Sequence, residues 1–283
     1  GETTSLPKMD IVNDGNIEVE VGEIINNSGL TNMSSSKINL QGGVIRVGPS
    51  SINDLFENNG TLEVGSGSAF IGGNFAQNDS LNSTTSGTVF FTGKQTLTGD
   101  YSISNGNNFG RVKVAGSGEV NPETSVEISG DIKVDGIYGE SDETQSLTFT
   151  GANFDVTSSG EFNASEVKFS RSGDTFASGV VFADVTITNN TRFEVNESFT
   201  INGFFTVGNT GSDELQIRNG TLTLNGDANI AGTIDPTDQN GNNFPIVIKG
   251  NGRTTSSGNT SIQEISGDKT LNFVNLRVEG SDT

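Results

Sequence analysis

The chain has 283 residues, with 15 Lys and Arg against 35 Asp and Glu, giving a formal net charge of −20. It contains no His, Cys or Trp, which excludes imidazole bases, thiolate metal sites and disulfides. Such an acidic chain is repelled by phosphate backbones and anionic lipid surfaces, so we expect neither nucleic acid nor membrane insertion of this segment.

Turn-forming residues are unusually frequent. The hydrophobic fraction is only 31%, and 38 Gly accompany 33 Asn. Both residues favour turns and tolerate left-handed backbone conformations, so the chain must turn often. No window of helical length carries apolar residues at helical spacing without interruption by Gly, Asn or β-branched runs.

Short segments with alternating apolar and polar residues recur along the chain, each followed by Gly or Asn. This period-2 pattern places aliphatic side chains on one face and charged or Thr side chains on the other, as in half-buried strands. Ten such segments are predicted as strands: 17–22, 44–48, 61–65, 111–116, 131–136, 146–151, 184–189, 214–220, 221–226 and 275–280.

The spacing of these strands distinguishes between all-β architectures. The last apolar positions Val114, Val134, Phe149, Phe169, Ile187 and Val207 follow at intervals of 15 to 20 residues, longer than the roughly 8–12 typical of sandwiches. We therefore predict an all-β, right-handed parallel β-helix (β-solenoid) with about 20 residues per coil. It would form one segment over 1–283, with a loop excursion near 74–87.

A longer repeat overlies this period. A Phe-x-x-[Val/Leu]-x-[Val/Ile] core occurs at Phe109–Val114, Phe182–Ile187 and Phe273–Val278. The third copy is cut short at Thr283, so we expect this chain to be part of a longer one. These units, with the Gly-Thr-Leu-Thr-Leu-Asn-Gly run at 220–226, resemble the stalk-like repeats of large Bacteroidota surface proteins. The resemblance implies export by type IX secretion and a role in adhesion, gliding or cell contact.

The aromatic residues are almost all Phe, with 18 Phe and two Tyr. Phe has no polar group for water, so we predict an interior ladder formed by Phe149, Phe169, Phe182, Phe193, Phe205 and Phe273. The pairs Phe90–Phe91 and Phe204–Phe205 must point their two rings to opposite faces of a strand. The outward rings could form a binding patch.

Parallel β-helices often carry polysaccharide lyases and hydrolases that use paired carboxylates. Carboxylates are abundant near the start of the chain, at Asp10, Asp14, Glu18, Glu20 and Glu23, but Glu18 and Glu20 read as a solvated strand face. Lys113 with Arg111, and Lys168 with Arg171, are too sparse in sequence to neutralise an anionic sugar. We expect no enzyme activity and no catalytic or cofactor-binding residues.

Oxygen ligands cluster around a Gly turn at Asp235–Asn243 and could accept calcium. The segment lacks an EF-hand register, and as a polar turn between Ile234 and Phe244 it needs no ion, so no metal ligand is predicted.

The sequence thus predicts a non-enzymatic structural and adhesive segment of a secreted or cell-surface protein, located outside the cell. Its expected partner is a protein or glycan on another surface. Two alternatives remain: a carbohydrate-directed module like a tail spike or polysaccharide lyase, and a protomer of a homo-oligomeric appendage. Without Cys, stability must come from stacked apolar side chains and hydrogen bonds between coils.

Overall fold

The computed structural model describes residues 10–48, 54–83, 86–105, 107, 109–139, 145–178, 181–208, 213–235, 246–249, 265–266 and 276–279. The chain divides into two compact units. Unit 1 comprises Gly1–Leu147 and Thr157–Asn163, and unit 2 comprises Thr148–Val156 and Ala164–Thr283. Among the described residues there are 35 β-strands, one short 3-10 helix and no α-helix.

The strands of unit 1 are mostly three or four residues long. They are β1 Ile11–Asn13, β2 Asn16–Val19, β3 Glu23–Asn26, β4 Leu30–Asn32, β5 Lys37–Leu40, β6 Val44–Val47, β7 Leu55–Asn58, β8 Thr61–Val64, β9 Ser68–Ile71, β10 Asn74–Gln77, β11 Ser80–Ser83, β12 Thr88–Phe91, β13 Lys94–Gly99, β14 Val112–Val114, β15 Glu119–Pro122, β16 Val126–Ile128, β17 Ile132–Val134, β18 Ile137–Tyr138 and β21 Glu161–Phe162.

Strand β19, Ser146–Phe149, contains the boundary between the units. The strands of unit 2 are β20 Asn153–Val156, β22 Glu166–Phe169, β23 Gly173–Ser178, β24 Val181–Phe182, β25 Asp184–Ile187, β26 Thr191–Val195, β27 Phe199–Ile201, β28 Phe205–Val207, β29 Glu214–Ile217, β30 Leu222–Leu224, β31 Ala228–Ile230, β32 Thr233–Asp235, β33 Ile246–Lys249, β34 Ile265–Ser266 and β35 Leu276–Glu279.

Most strands of unit 1 lie in three parallel sheets, and from β1 to β12 successive strands take these sheets in turn. Sheet A contains β1, β4, β7, β10, β13, β15, β18 and β21, sheet B contains β2, β5, β8 and β11, and the unit 1 part of sheet C contains β3, β6, β9, β12, β14 and β17. Unit 2 likewise has three parallel sheets. Their strands are β20–β23–β26–β29–β32, β22–β25–β28–β31–β34 and β24–β27–β30–β33–β35.

These sheets confirm the predicted fold class. The parallel strands stack as a β-solenoid whose successive turns lie roughly 21 residues apart. Each of the ten segments predicted from alternating residues overlaps a strand, and the alternation matches burial: in β8, Leu62 and Val64 are buried while Thr61 and Glu63 are partly exposed. The strands form because each aliphatic side chain stacks on its counterpart one turn away.

One interior corner of unit 1 carries a polar ladder. The amide of Asn13 donates to Asn32 Oδ1 (2.8 Å), Asn32 Nδ2 donates to Asn58 Oδ1 (2.7 Å), and Asn58 Nδ2 donates to Gln77 Oε1 (3.0 Å). Gln77 Nε2 then donates to Asn107 Oδ1 (3.3 Å). The first four amides each end a strand of sheet A, and Asn107 follows the 3-10 helix Ile103–Asn105. These amides satisfy buried polar groups that water cannot reach.

Sheet B ends at β11, and on the following turn the chain takes a different path after β13. Gly99 adopts a positive φ of 102°, and a Cβ there would lie 2.0 Å from the Gln77 carbonyl oxygen, so this close approach requires glycine. The chain then passes through the 3-10 helix Ile103–Asn105. Tyr101 fills the interior at this level, and its hydroxyl donates to the Phe75 carbonyl oxygen at 3.0 Å.

Unit 2 is filled by aromatic rings. Phe149, Phe169, Phe182, Phe193 and Phe205 are all at most 2% exposed. Phe169 is central: its ring centroid lies 6.0 Å from Phe149, 5.9 Å from Phe182 and 4.1 Å from Phe193. The predicted interior ladder is confirmed for these five residues, and Phe273 lies outside the described residues.

The predicted loop excursion near 74–87 is wrong over most of its length. Residues 74–77 and 80–83 form β10 and β11, which pair in register with β7 and β8. The Ser- and Asn-rich composition suggested a loop, but Phe75 and Leu81 are fully buried and hold these strands in the solenoid. In the described part of the chain, no helix has the length and apolar character needed to cross a membrane.

Candidate functional site

The outer face of sheet C combines aromatic and basic side chains. The register places one outward side chain per turn in a single row: Ile25, Arg46, Phe70, Phe90, Lys113 and Lys133. We call this row the outer strip. It results from the strand pattern, because Arg46, Phe70, Phe90, Lys113 and Lys133 each lie between two buried apolar neighbours that fix the side chain outward. The sequence did not predict this row.

Two rings and a guanidinium form the upper part of the outer strip. Phe70 and Phe90 stack with their centroids 4.3 Å apart and an interplanar angle of 3°. The guanidinium carbon of Arg46 lies 3.7 Å from the centre of the Phe70 ring, a cation–π contact. Both rings remain partly exposed, whereas Phe91, beside Phe90, is 1% exposed. The predicted division of the Phe90–Phe91 pair between two faces is therefore confirmed.

The basic residues of the face are paired with carboxylates at its margins. Arg46 pairs with Glu23, and Arg111 lies 3.8 Å from Asp131. Lys113 Nζ lies 3.1 Å from one oxygen of Asp135, and Lys133 Nζ lies 3.8 Å from the other. These side chains stay substantially exposed, and exposed ion pairs of this kind contribute about 0–1 kcal/mol each.

Charge is distributed unevenly around unit 1. Of its described residues, six are Lys or Arg, and four of them lie on the outer face of sheet C: Arg46, Arg111, Lys113 and Lys133. Only three of its sixteen described Asp and Glu residues accompany them: Glu23, Asp131 and Asp135. The face is therefore slightly basic in a strongly acidic chain. In the sequence, Lys113 and Arg111 are too sparse to bind an anion. In the folded chain, Arg46 and Lys133 from other turns lie on the same face as this pair.

The carboxylates considered for catalysis do not gather into one cluster. Glu18 and Glu20 flank buried Val19 on the solvent face of β2, as predicted, and Glu18 Oε1 accepts hydrogen bonds from Asn39 and Gln41 on the next turn. Asp14 is exposed in the turn after β1, and Glu23 lies at the margin of sheet C.

Asp10 has a structural role at the first described turn. Its Oδ1 accepts hydrogen bonds from the Ser28 hydroxyl (2.7 Å) and the Gly29 amide (3.0 Å). The Ser28 bond, followed by the Gly29 bond, holds the pKa of the Asp10 carboxyl below its usual value. The carboxylate therefore links the residue before β1 to the turn before β4.

The remaining candidates from the sequence lie in unit 2. Lys168 is exposed on β22, and the Arg171 guanidinium donates to the Asp174 carbonyl oxygen. Phe204 is 39% exposed while Phe205 is fully buried, which confirms the expected division of that pair. Phe70 and Phe90 stack on each other in neighbouring turns, whereas the neighbour of Phe204 on the adjacent turn is Asp184. The Phe204 backbone amide donates a hydrogen bond to Asp184 Oδ1 (2.6 Å).

Most of the proposed calcium segment, residues 236–243, lies outside the described residues. Asp235 is described at the end of β32, where its carboxylate lies 3.6 Å from the Arg218 guanidinium. Within the described ranges, no three Asp or Glu residues are grouped closely enough to hold a metal ion.

Comparison with protein family models, curated proteins and solved structures gives no match. The site is therefore argued from its own geometry. Its members could have been found by aligning the third residue of successive sheet C strands, in Val-Ile-Arg-Val, Ser-Ala-Phe-Ile and Thr-Val-Phe-Phe.

Proposed function

We propose that this chain is a non-enzymatic structural and adhesive segment of a secreted or cell-surface protein, which acts as a spacer holding binding surfaces away from the cell. The observation that carries the proposal is the continuity of interior contacts from turn to turn. In unit 1, side-chain amides bond in sequence from Asn13 to Asn107. In unit 2, Phe rings pack in succession from Phe149 to Phe199.

Ion pairs on the outer faces add links between neighbouring turns. Lys37 Nζ lies 2.8 Å from Glu63, and Lys94 Nζ lies 2.6 Å from Glu119. Lys94 is the main cause of a lowered pKa at the Glu119 carboxyl. Within unit 1, backbone, interior and surface groups thus bond neighbouring turns to each other, which favours a unit that resists local deformation.

The surface chemistry supports an extracellular setting. The net charge of −20 keeps such a chain soluble and discourages edge-to-edge association. A fold that forms without disulfides, in a chain that lacks Cys, does not depend on the redox state of its compartment and is compatible with secretion.

The proposal predicts that stiffness, more than length, is required. In cells that make the protein, this segment would be replaced by a Gly/Ser linker of equal residue number, which behaves as a flexible coil. We expect export to continue and attachment to surfaces to fall severalfold, as counted by adherent cells under flow. Restoring the original segment should restore attachment. Unchanged attachment with the linker would refute the spacer role.

A carbohydrate-directed role is the second candidate, and one observation favours it. The outer strip presents cations and aromatic edges in a row on one face, an arrangement that a spacer does not require. Homo-oligomerisation stays a prediction of the sequence.

A further inference from the structure

We propose that the outer strip of sheet C binds an acidic polysaccharide, whose carboxylate or sulfate groups pair with Arg46, Lys113 and Lys133. This inference rests on the adhesive role proposed above and names the class of ligand that the segment binds.

The first argument is charge complementarity. Lys113 and Lys133 both lie near the Asp135 carboxylate, at 3.1 Å and 3.8 Å. Their side chains are flexible and are 37% and 46% exposed. A surface pair of this kind is weak, so an incoming anion can take its place at small cost. Carboxylates farther away contribute little to the electrostatic potential at the outer strip, because charges are largely screened beyond about 10 Å at 0.1 M salt.

The second argument concerns the two rings between the cations. One face of Phe70 is covered by Phe90 and the other by the Arg46 guanidinium, so the ring presents its edge to the solvent. Ring edges carry the positive part of the aromatic quadrupole, which attracts anionic oxygen atoms. The rings also offer apolar area to the C–H groups of a sugar. The row therefore favours an anion at every position from Arg46 to Lys133.

The third argument is shape. One side chain per turn at the strand spacing of about 4.8 Å makes the six-residue row roughly 24 Å long. Beside the rings lie the small residues Ser68, Thr88 and Gly72, which leave the row open and add hydroxyl groups. An extended polymer with regularly repeated charges can contact all of this row at once. A double-stranded nucleic acid carries one phosphate charge per about 1.7 Å of helix axis, which does not match a row with one side chain per about 4.8 Å.

The test measures binding of the 283-residue chain to defined polymers by isothermal titration calorimetry at 0.1 M salt. The probes are polygalacturonate, which carries carboxylates, dextran sulfate, neutral dextran and a double-stranded DNA. The test variant is Lys113→Gln with Lys133→Gln. The matched control is Lys37→Gln with Lys94→Gln, which removes the same charge and two ion pairs from sheets B and A. Circular dichroism checks that each variant is folded.

We expect binding to one or both acidic polysaccharides and none to neutral dextran. The Lys113/Lys133 variant should weaken binding about tenfold, the effect of removing two exposed charge contacts, while the control variant changes it less than twofold. Lys113→Arg with Lys133→Arg should bind like the original chain. Comparing the two acidic polymers shows whether carboxylate or sulfate is preferred.

Three results would overturn the proposal: no binding to either acidic polysaccharide, an equal loss in the control variant, or equally tight binding to DNA. Failure here is distinguishable from failure of the spacer role. If the chain binds no acidic polysaccharide but the Gly/Ser replacement still abolishes attachment, the ligand proposal falls and the spacer proposal stands.

Discussion

Both units have packed aromatic rings in their interiors, but unit 1 adds a row of side-chain amides. In unit 1 a corner of the interior is a row of side-chain amides, in which Asn58 donates to both Gln77 and the Ser80 carbonyl oxygen. In unit 2 the corresponding continuity comes from Phe rings centred on Phe169. Amides hold the backbone of a turn in one geometry through directed bonds, whereas rings fill volume without fixing direction. Unit 1 therefore combines directed amide bonds with ring packing.

The largest effect should come from the aromatic interior. Phe169→Ala removes a fully buried ring with four ring neighbours, so we expect a loss of about 3–5 kcal/mol in the free energy of unfolding. The measurement is urea denaturation followed by circular dichroism. Phe204→Ala, at a ring that is 39% exposed, is the control and should cost much less. Equal losses for the two variants would contradict the aromatic ladder as the main support of unit 2.

The polar ladder should have a smaller but clear effect. Asn58→Ala leaves Gln77 Oε1 and the Ser80 carbonyl oxygen without the amide that now donates to them. Because these groups are buried, we expect a loss of about 2–3 kcal/mol, again by urea denaturation. Asn82→Ala changes an exposed Asn of β11 and should stay within about 0.5 kcal/mol. A result for Asn58 as small as that for Asn82 would show that the ladder contributes no net stability.

Tyr101 should give the smallest effect at neutral pH. Tyr101→Phe removes its hydrogen bond to the Phe75 carbonyl oxygen, with an expected loss of about 1 kcal/mol. Burial, and to a lesser degree Tyr138, raises the pKa of the Tyr101 hydroxyl well above its usual value of 10.0.

The raised pKa also predicts a pH dependence. Above pH 10 the unfolded chain loses this proton while the folded chain keeps it, so the free energy of unfolding falls as the pH rises. The Phe variant should lose less stability between pH 10 and 11 than the original chain in paired urea titrations. Parallel pH profiles for the two chains would show that the Tyr101 hydroxyl ionises as readily in the folded state.

Much of the fold could be predicted because its signals are local. Alternation within four residues fixes which side chains are buried, as in Thr61–Val64, and a recurring interval near 20 residues indicates stacked coils. The interior position of Phe149 and Phe169 followed from the chemistry of Phe alone. The error at residues 74–87 arose because Ser and Asn also occupy outward strand positions, as in β11.

The outer strip was not predictable in the same way. Arg46, Phe70, Phe90 and Lys113 belong to one row, but the connections between their strands differ in length, so no constant interval in the sequence joins them. Read along the chain, Arg111 and Lys113 are two isolated cations. Stacking in sheet C adds the charges from other turns.

The sequence by itself determined the class of fold, the direction of the alternating side chains and the predominance of Phe in the interior, because these depend on residue type and short-range spacing. Only the tertiary structure decided which side chains become neighbours across turns: the amide ladder from Asn13 to Asn107 and the basic–aromatic row of sheet C. Strand register sets those contacts, and register is fixed by packing of whole turns against each other.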